Sequence, residues 1–236
     1  MSVKTCVEAV QARIRAAALT AGRDPAEITL VAATKVQTSD TIREAIQAGI
    51  TCCGENRVQE FNTHWKDGAY EGAEVHFIGH LQKNKVKYLV GKVSLIESID
   101  SAALMTAVSD RAVKTGVVQD ILIEVNIGGE ASKSGAAPAE VENLLRLAAE
   151  LPGVRAKGLM AIPPVAEQPG ENQRYFREMY QLFVDMREKM ADNGESMDIL
   201  SMGMSGDFED AIAQGATQVR VGTALFGQRP PMRANG

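Results

Sequence analysis

Eight short apolar, β-like segments recur along the 236 residues of the chain, and helical patterns fill the gaps between them. They are "ITLVAATK" from Ile28, "ITCCGE" from Ile50, "VHFIGH" from Val75, "SLIESI" from Ser94, "ILIEVNI" from Ile121, "VRAKGLMAI" from Val154, "DILSMGM" from Asp198 and "QVRVGTALFG" from Gln218. Eight strands alternating with helices match a (β/α)8 TIM barrel, whose usual size is about 250 residues. A doubly wound open sheet is the competing fold. The first strand leaves through "ATKVQTSD", with no Gly-rich dinucleotide fingerprint, which counts against that alternative.

The connecting helices are marked by their own signals. "SDTIREAIQAG" opens on a Ser39 or Asp40 cap, places Ile42 and Ile46 on one face and stops at Gly49. "SAALMTAVSDRAVKTG" runs from a Ser101 cap to Gly116, and "APAEVENLLRLAAELPG" carries Pro138 near its first turn. The longest helix spans roughly residues 171–193, and its Phe176, Met179, Tyr180, Phe183, Met186 and Met190 form a core-packing stripe. An extra helix precedes the first strand, with Val3, Val7, Val10, Ile14 and Ala17 on one face. No break in composition marks a second domain, so residues 1–236 are read as one.

Composition narrows the function classes. At 45% hydrophobic and 23% charged residues the chain has ample material for a core. Lys and Arg total 25 against 30 Asp and Glu, a formal charge of −5 with no basic block, which disfavours nucleic acid. No apolar run approaches the roughly 20 residues of a membrane span. Lys4, Glu8, Arg13 and Arg15 interrupt the N-terminus where a signal peptide needs an apolar stretch, so a cytoplasmic protein is expected. Cys6, Cys52 and Cys53 are read as buried reduced thiols.

Active sites of such barrels lie at the C-terminal ends of the strands. There, Lys35 closes an apolar strand. It is either a solvated strand-end amine or a partly desolvated one whose neutral form attacks a carbonyl. Barrels often bind phosphate in the loops after strands seven and eight. Ser205 and Gly206 fall where strand seven becomes a helix, and Gly222 and Thr223 at the end of strand eight. Singly, Ser205 is equally a helix cap and Gly222 a turn residue, while together they favour a phosphate cup. Asp207, Glu209 and Asp210 oppose an anion unless they point outward. A phosphate cup and a Schiff-base lysine suit two ligand classes: pyridoxal 5′-phosphate (PLP), or the phosphorylated sugar of a lysine aldolase.

The segments "ATKVQ", "GENRVQE", "HFIGHLQKNK", "SKSG", "GLMAI", "LSMGMSGDFEDAI" and "VRVGTALFG", in this order, closely resemble the YggS/PROSC family of PLP homeostasis proteins. The resemblance implies the fold type III PLP-binding barrel, related to the N-terminal domain of alanine racemase. It implies that Lys35 forms an aldimine with PLP, that Ser205, Gly206, Gly222 and Thr223 hold the phosphate, that Arg220 faces the pyridine nitrogen and that Asn56 lines the ring. It also implies a protein without efficient catalysis that buffers PLP or supplies it to apo PLP-dependent enzymes. A donor-only guanidinium facing the pyridine nitrogen keeps that nitrogen unprotonated and the ring a weak electron sink. The alternative role for Arg220 is a barrel-rim salt bridge.

Alanine racemases use a tyrosine acid from a second domain, for which the sequence after strand eight offers no room, and Tyr70, Tyr88, Tyr175 and Tyr180 read as packing residues. A racemase-like enzyme and a lysine aldolase are thus the alternatives to a carrier, and a monomer is expected. His76 and His80, four apart on a strand, span about 13 Å and exclude a shared metal. His64 is expected at the surface, and His80 beside the pocket or in a packing role. "GGEASKS" fails as a phosphate loop because Ser132 stands where glycine is needed. Lys133 is read as a solvated loop lysine, with the resemblance hinting at transient PLP acceptance.

Overall fold

The computed structural model describes residues 2–130, 132–166, 168–190 and 197–227. Its centre is a closed barrel of eight parallel strands in sequence order: β1 (Thr29–Ala33), β2 (Cys52–Glu55), β3 (Glu74–Phe77), β4 (Leu95–Ile99), β5 (Gln119–Val125), β6 (Val154–Ala161), β7 (Ile199–Ser201) and β8 (Gln218–Val221). Closure comes from β1, which pairs with β2 at Ala32↔Cys53 and with β8 at Val31↔Arg220. The helices are α1 (Val3–Thr20), α2 (Ser39–Gln47), α3 (Val58–Lys66), α4 (Ala102–Thr115), α5 (Val141–Glu150), α6 (Gln173–Met190), α7 (Phe208–Ala213) and α8 (Thr223–Phe226). A 3-10 helix, Lys83–Tyr88, replaces the α-helix between β3 and β4.

Local chemistry explains most boundaries. The Ser2 side chain caps α1, which buries Val7, Val10, Ile14 and Ala18. Its Arg13 pairs with Glu209 at 2.7 Å and stacks over Phe208, fixing the extra helix to α7. Ser101 caps α4 as expected, and Gly116 ends it in the left-handed conformation at φ 69°. Pro138 opens a 3-10 turn that runs straight into α5, at the start of the helical run as expected. Two expectations are corrected. The cap of α2 is Thr38, while Ser39 bonds Asp67 and Asp40 pairs with Arg43. Strand eight stops at Val221, because "TALF" turns into the short α8.

The α6 stripe buries Phe176, Met179, Phe183, Met186 and Met190, but Tyr180 is 43% exposed and lies against Gly215, where any Cβ would strike its ring. The expected end of this helix at Asn193 lies outside the described residues. Cys52 and Cys53 are buried on opposite faces of β2, and burial pushes the Cys53 thiol up to about 12 and the Cys52 thiol well above its usual value. Cys6 is only half-buried.

The main apolar shell lies between strands and helices. Inside the barrel there are two separate patches, Val31, Ala33, Cys52 and Ile78 on one side and Leu95, Leu122 and Met160 on the other. Buried polar residues share this interior: Glu97 of β4 bonds Ser201 of β7 and Gln218 of β8, contacts that only run across the barrel axis. A (β/α)8 interior is ordinarily filled by branched aliphatic residues, so this polar layer sets the barrel apart.

Gly158 tests the strand packing. It sits at φ 150° beside a register shift, and a Cβ there would overlap the Ile199 carbonyl of β7. Gly158→Ala is expected to cost about 2 kcal/mol or more. Gly206→Ala, where a Cβ meets nothing within 4 Å, is expected to stay within about 0.5 kcal/mol of wild type. Urea midpoints at constant m-value check both, and equal midpoints for the two variants contradict the packing argument.

Candidate functional site

At the C-terminal ends of the strands lies a cavity of about 280 Å³ whose lining includes Lys35, Asn56, Ser205, Gly206, Arg220, Gly222 and Thr223, with Ala33, Ile78, Ile162 and Met204 supplying apolar surface. Every site residue expected from sequence therefore borders one space. Lys35 follows β1 in a turn closed by the Gln37 N–H donating to the Thr34 carbonyl at 3.0 Å. Asn56 follows β2, and Gly79 packs so closely on its backbone that any Cβ would overlap the Asn56 carbonyl. The Asn56 Oδ1 is buried and has no hydrogen-bond partner among the described residues.

On the opposite wall, the Ser205 hydroxyl accepts hydrogen bonds from the N–H groups of Gly222 at 3.1 Å and Ala224 at 3.3 Å. Ser205 thus does not cap the helix that follows it; it ties the loop after β7 to the start of α8. The acids that opposed an anion here are engaged elsewhere. Asp207 accepts from the Met204 N–H and from Asn172, Glu209 pairs with Arg13, and Asp210 accepts from Gln173.

Below the cavity the buried polar layer begins with Arg220, which donates to Ser201 Oγ at 2.5 Å and to the Ala161 carbonyl at 2.8 Å. Glu97 Oε2 lies 3.8 Å from the guanidinium and accepts from Ser201 at 2.7 Å, and Glu97 Oε1 receives His76 at 2.8 Å and Gln218 at 2.7 Å. The ion pair weighed for Arg220 therefore exists, but inside the barrel instead of at its rim. Burial pushes the Glu97 carboxyl up, yet the His76 hydrogen bond, with the His76 and Arg220 charges, outweighs it and holds the group below its ordinary value. Burial lowers Arg220 against the opposing pull of Glu97 and Glu124. Glu124, buried on β5, is raised to about 7 by burial and by Asp100, with Arg220 opposing.

Other candidates fall outside the cavity lining. Ser134 Oγ lies 3.2 Å and Asp100 Oδ2 3.6 Å from His80. Both approach the same Nδ1, so no proton relay of the serine-hydrolase kind can form. Lys133 is held, donating to the Pro163 carbonyl at 3.0 Å and pairing with Glu130 at 2.6 Å, so it is not a solvated loop lysine. His64 is buried, correcting the surface expectation, and its Nδ1 lies 3.2 Å from Glu55 Oε1, which also accepts from Tyr70 at 2.9 Å. That Glu55 hydrogen bond raises His64, with burial opposing, while burial and Glu55 together raise Tyr70. Tyr70 is thus a buried hydrogen-bonding residue, and Tyr88 and Tyr180 are substantially exposed, so the packing reading of the tyrosines was too simple. Among the described residues no group of three or more His, Cys, Asp or Glu could hold a metal, and no helix is long and apolar enough to cross a membrane.

Comparison with known proteins identifies the family and the fold. The family described as "Alanine racemase, N-terminal domain" matches residues 6–230. A pyridoxal phosphate homeostasis protein of Aquifex aeolicus is 45% identical over 217 residues, 92% of this chain and 94% of that protein. One from Pseudomonas aeruginosa is 40% identical over 221 residues, 93% of each. Among solved structures, PipY of Synechococcus elongatus with PLP bound superposes with a TM-score of 0.79 at 32% identity, covering 91% of this chain and 99% of that one.

Buried Glu124 gives the protein a measurable pH signature. Its folded-state value near 7 exceeds the ordinary 4.5, so the folded state binds the proton more tightly. The resulting stability is complete below the unfolded value and is lost as pH rises through about 7. Relative to Glu124→Gln, which keeps a neutral side chain, wild type is expected to lose about 2 kcal/mol between pH 5 and 8. Urea titrations of both proteins across that range check this, and parallel profiles refute it.

Proposed function

The chain belongs to the family of pyridoxal phosphate homeostasis proteins, and from that premise we propose that it holds PLP in the cavity at the barrel mouth, with Lys35 as covalent tether, and buffers or supplies it without efficient catalysis. The observation that carries the reading is convergence: Lys35 from the end of β1, Ser205 and Gly206 after β7, and Arg220, Gly222 and Thr223 from β8 and its exit all border one space. Two further features suit a ligand there. Asn56 presents a buried oxygen without a partner among the described residues, and Gly206 leaves open room where a side chain would otherwise project.

When bound, PLP supplies an aldehyde that condenses with amines and a ring that can withdraw electrons. The residues divide the remaining tasks. Ser205, Gly206, Gly222 and Thr223 would receive the phosphate, with the small residues allowing close backbone approach. Asn56 would line the ring's side of the cavity, and Ile78 and Ile162 offer apolar surface that would exclude water there. Arg220 would face the ring nitrogen; its position is fixed by Ser201 and Ala161, and its positive charge is balanced by Glu97. A guanidinium keeps its protons and accepts no hydrogen bond, so a ring nitrogen beside it would stay an unprotonated acceptor. That arrangement favours holding the cofactor over stabilising a carbanion on it. The reading extends to a monomer in the cytoplasm whose recipients are apo PLP-dependent enzymes.

Purified protein incubated with PLP is expected to show a visible absorbance band that Lys35→Ala abolishes. Gly206→Val is expected to weaken PLP binding at least 10-fold, about 1.4 kcal/mol, by filling the phosphate cup. Protein that stays colourless overturns the reading. Rapid racemisation of L- or D-alanine by the loaded protein, followed by optical rotation, would replace a carrier with an enzyme.

A further inference from the structure

The turn that carries Lys35 has an unusual residue at its crest. Val36 adopts φ 61°, and it is the sole non-glycine residue with positive φ among the described residues. A four-residue turn with positive φ at its third position is ordinarily made with glycine or asparagine, and a β-branched residue is disfavoured there. Val36 is 53% exposed, so burial of its side chain does not offset the strain. Strained backbone of this kind persists where surrounding contacts over-determine it.

Those contacts come from β2 and α3, on the side of the turn away from the cavity. Before Lys35, the Thr34 hydroxyl donates to Glu55 Oε1 at 2.5 Å, and the Thr34 N–H to the Gly54 carbonyl at 2.9 Å. At the crest, the Val36 N–H donates to Glu60 Oε2 at 3.0 Å. Behind these groups, His64 Nδ1 faces the same Glu55 Oε1 at 3.2 Å. None of Glu55, Glu60 and His64 borders the cavity. The backbone on both sides of Lys35 is therefore gripped by groups with no access to a ligand.

We propose that Glu60, with Glu55 and His64, is a positioning clamp that holds Val36 at positive φ and thereby keeps the Lys35 amine directed into the cavity. The meaning of that amine rests on the PLP reading, but the clamp is a property of the chain itself. If the clamp's task is to enforce a backbone angle, a residue that adopts the angle freely makes it dispensable. Glycine is such a residue.

The test is a double-mutant cycle on Glu60→Ala and Val36→Gly with two readouts. The first is the rate at which acetic anhydride acylates Lys35 in PLP-free protein, followed by peptide mass spectrometry. The second is PLP affinity from the visible band. Glu60→Ala is expected to acylate several-fold faster and bind PLP about 10-fold more weakly. Val36→Gly alone is expected to stay within about 3-fold of wild type, and the double variant to recover to the same range. A purely structural loss at Glu60 gives no rescue by glycine, so a double variant no better than Glu60→Ala overturns the proposal, as does a silent Glu60→Ala. Wild-type protein that takes up no PLP defeats the cofactor reading alone, because the acylation rates still decide the clamp.

Discussion

The fully buried carboxylate of Glu97 is the interaction on which the barrel and its site both depend. It collects His76 from β3, Ser201 from β7 and Gln218 from β8, and it faces Arg220 at 3.8 Å. A charge in a barrel interior is tolerated when it is paired and hydrogen-bonded, and removing one partner strands the others. Here the stranded groups would include the Arg220 guanidinium directly beneath the cavity. The network is therefore not an ornament on an aliphatic core: it fixes which strands face each other across the axis and where the one cation of the cavity floor sits.

From that fixed floor the rest of the site follows by closure of the sheet. Pairing of β1 with β8 sets Val31 against Arg220 and Ala32 against Val221, so the exits of the first and last strands are neighbours. Lys35 and the Gly222–Thr223 pair thus meet although they lie near opposite ends of the chain. Ser205 completes the arrangement by accepting from Gly222 and Ala224, which joins the exit of β7 to that of β8. An amine, two Gly-containing loops and a guanidinium are placed around one cavity by backbone pairing and one hydroxyl.

Much of this was legible in the chain and some of it was not, for physical reasons. The eight-strand alternation, the extra N-terminal helix, the Ser101 cap and the Gly116 stop are encoded locally, and each appears. Capping of α2 is a contest among Thr38, Ser39 and Asp40, which sequence spacing does not resolve. "VGTALF" is apolar whether it is strand or helix, so the end of β8 at Val221 is invisible to periodicity. His64 and Tyr70 are buried because of Glu55, a tertiary partner that no local pattern announces. Glu97 and Glu124 could have been found: a carboxylate inside "SLIESI" or "ILIEVNI" is as anomalous as a lysine closing "TLVAATK", and the same reasoning applies to all three.

The strained turn and the ionic floor divide one problem between them. A protein that captures an aldehyde reversibly needs an amine held in place and surroundings that do not drive chemistry beyond capture. Rigidity below the cavity comes from Glu97 and Arg220, whose opposite charges stabilise each other in a medium that disfavours either alone. Position above it comes from Val36, held at φ 61° by Glu60 and its neighbours. The two are independent, since the clamp residues lie outside the cavity and the floor residues lie inside the barrel. The turn's backbone can therefore be held or loosened without touching the buried charges inside the barrel.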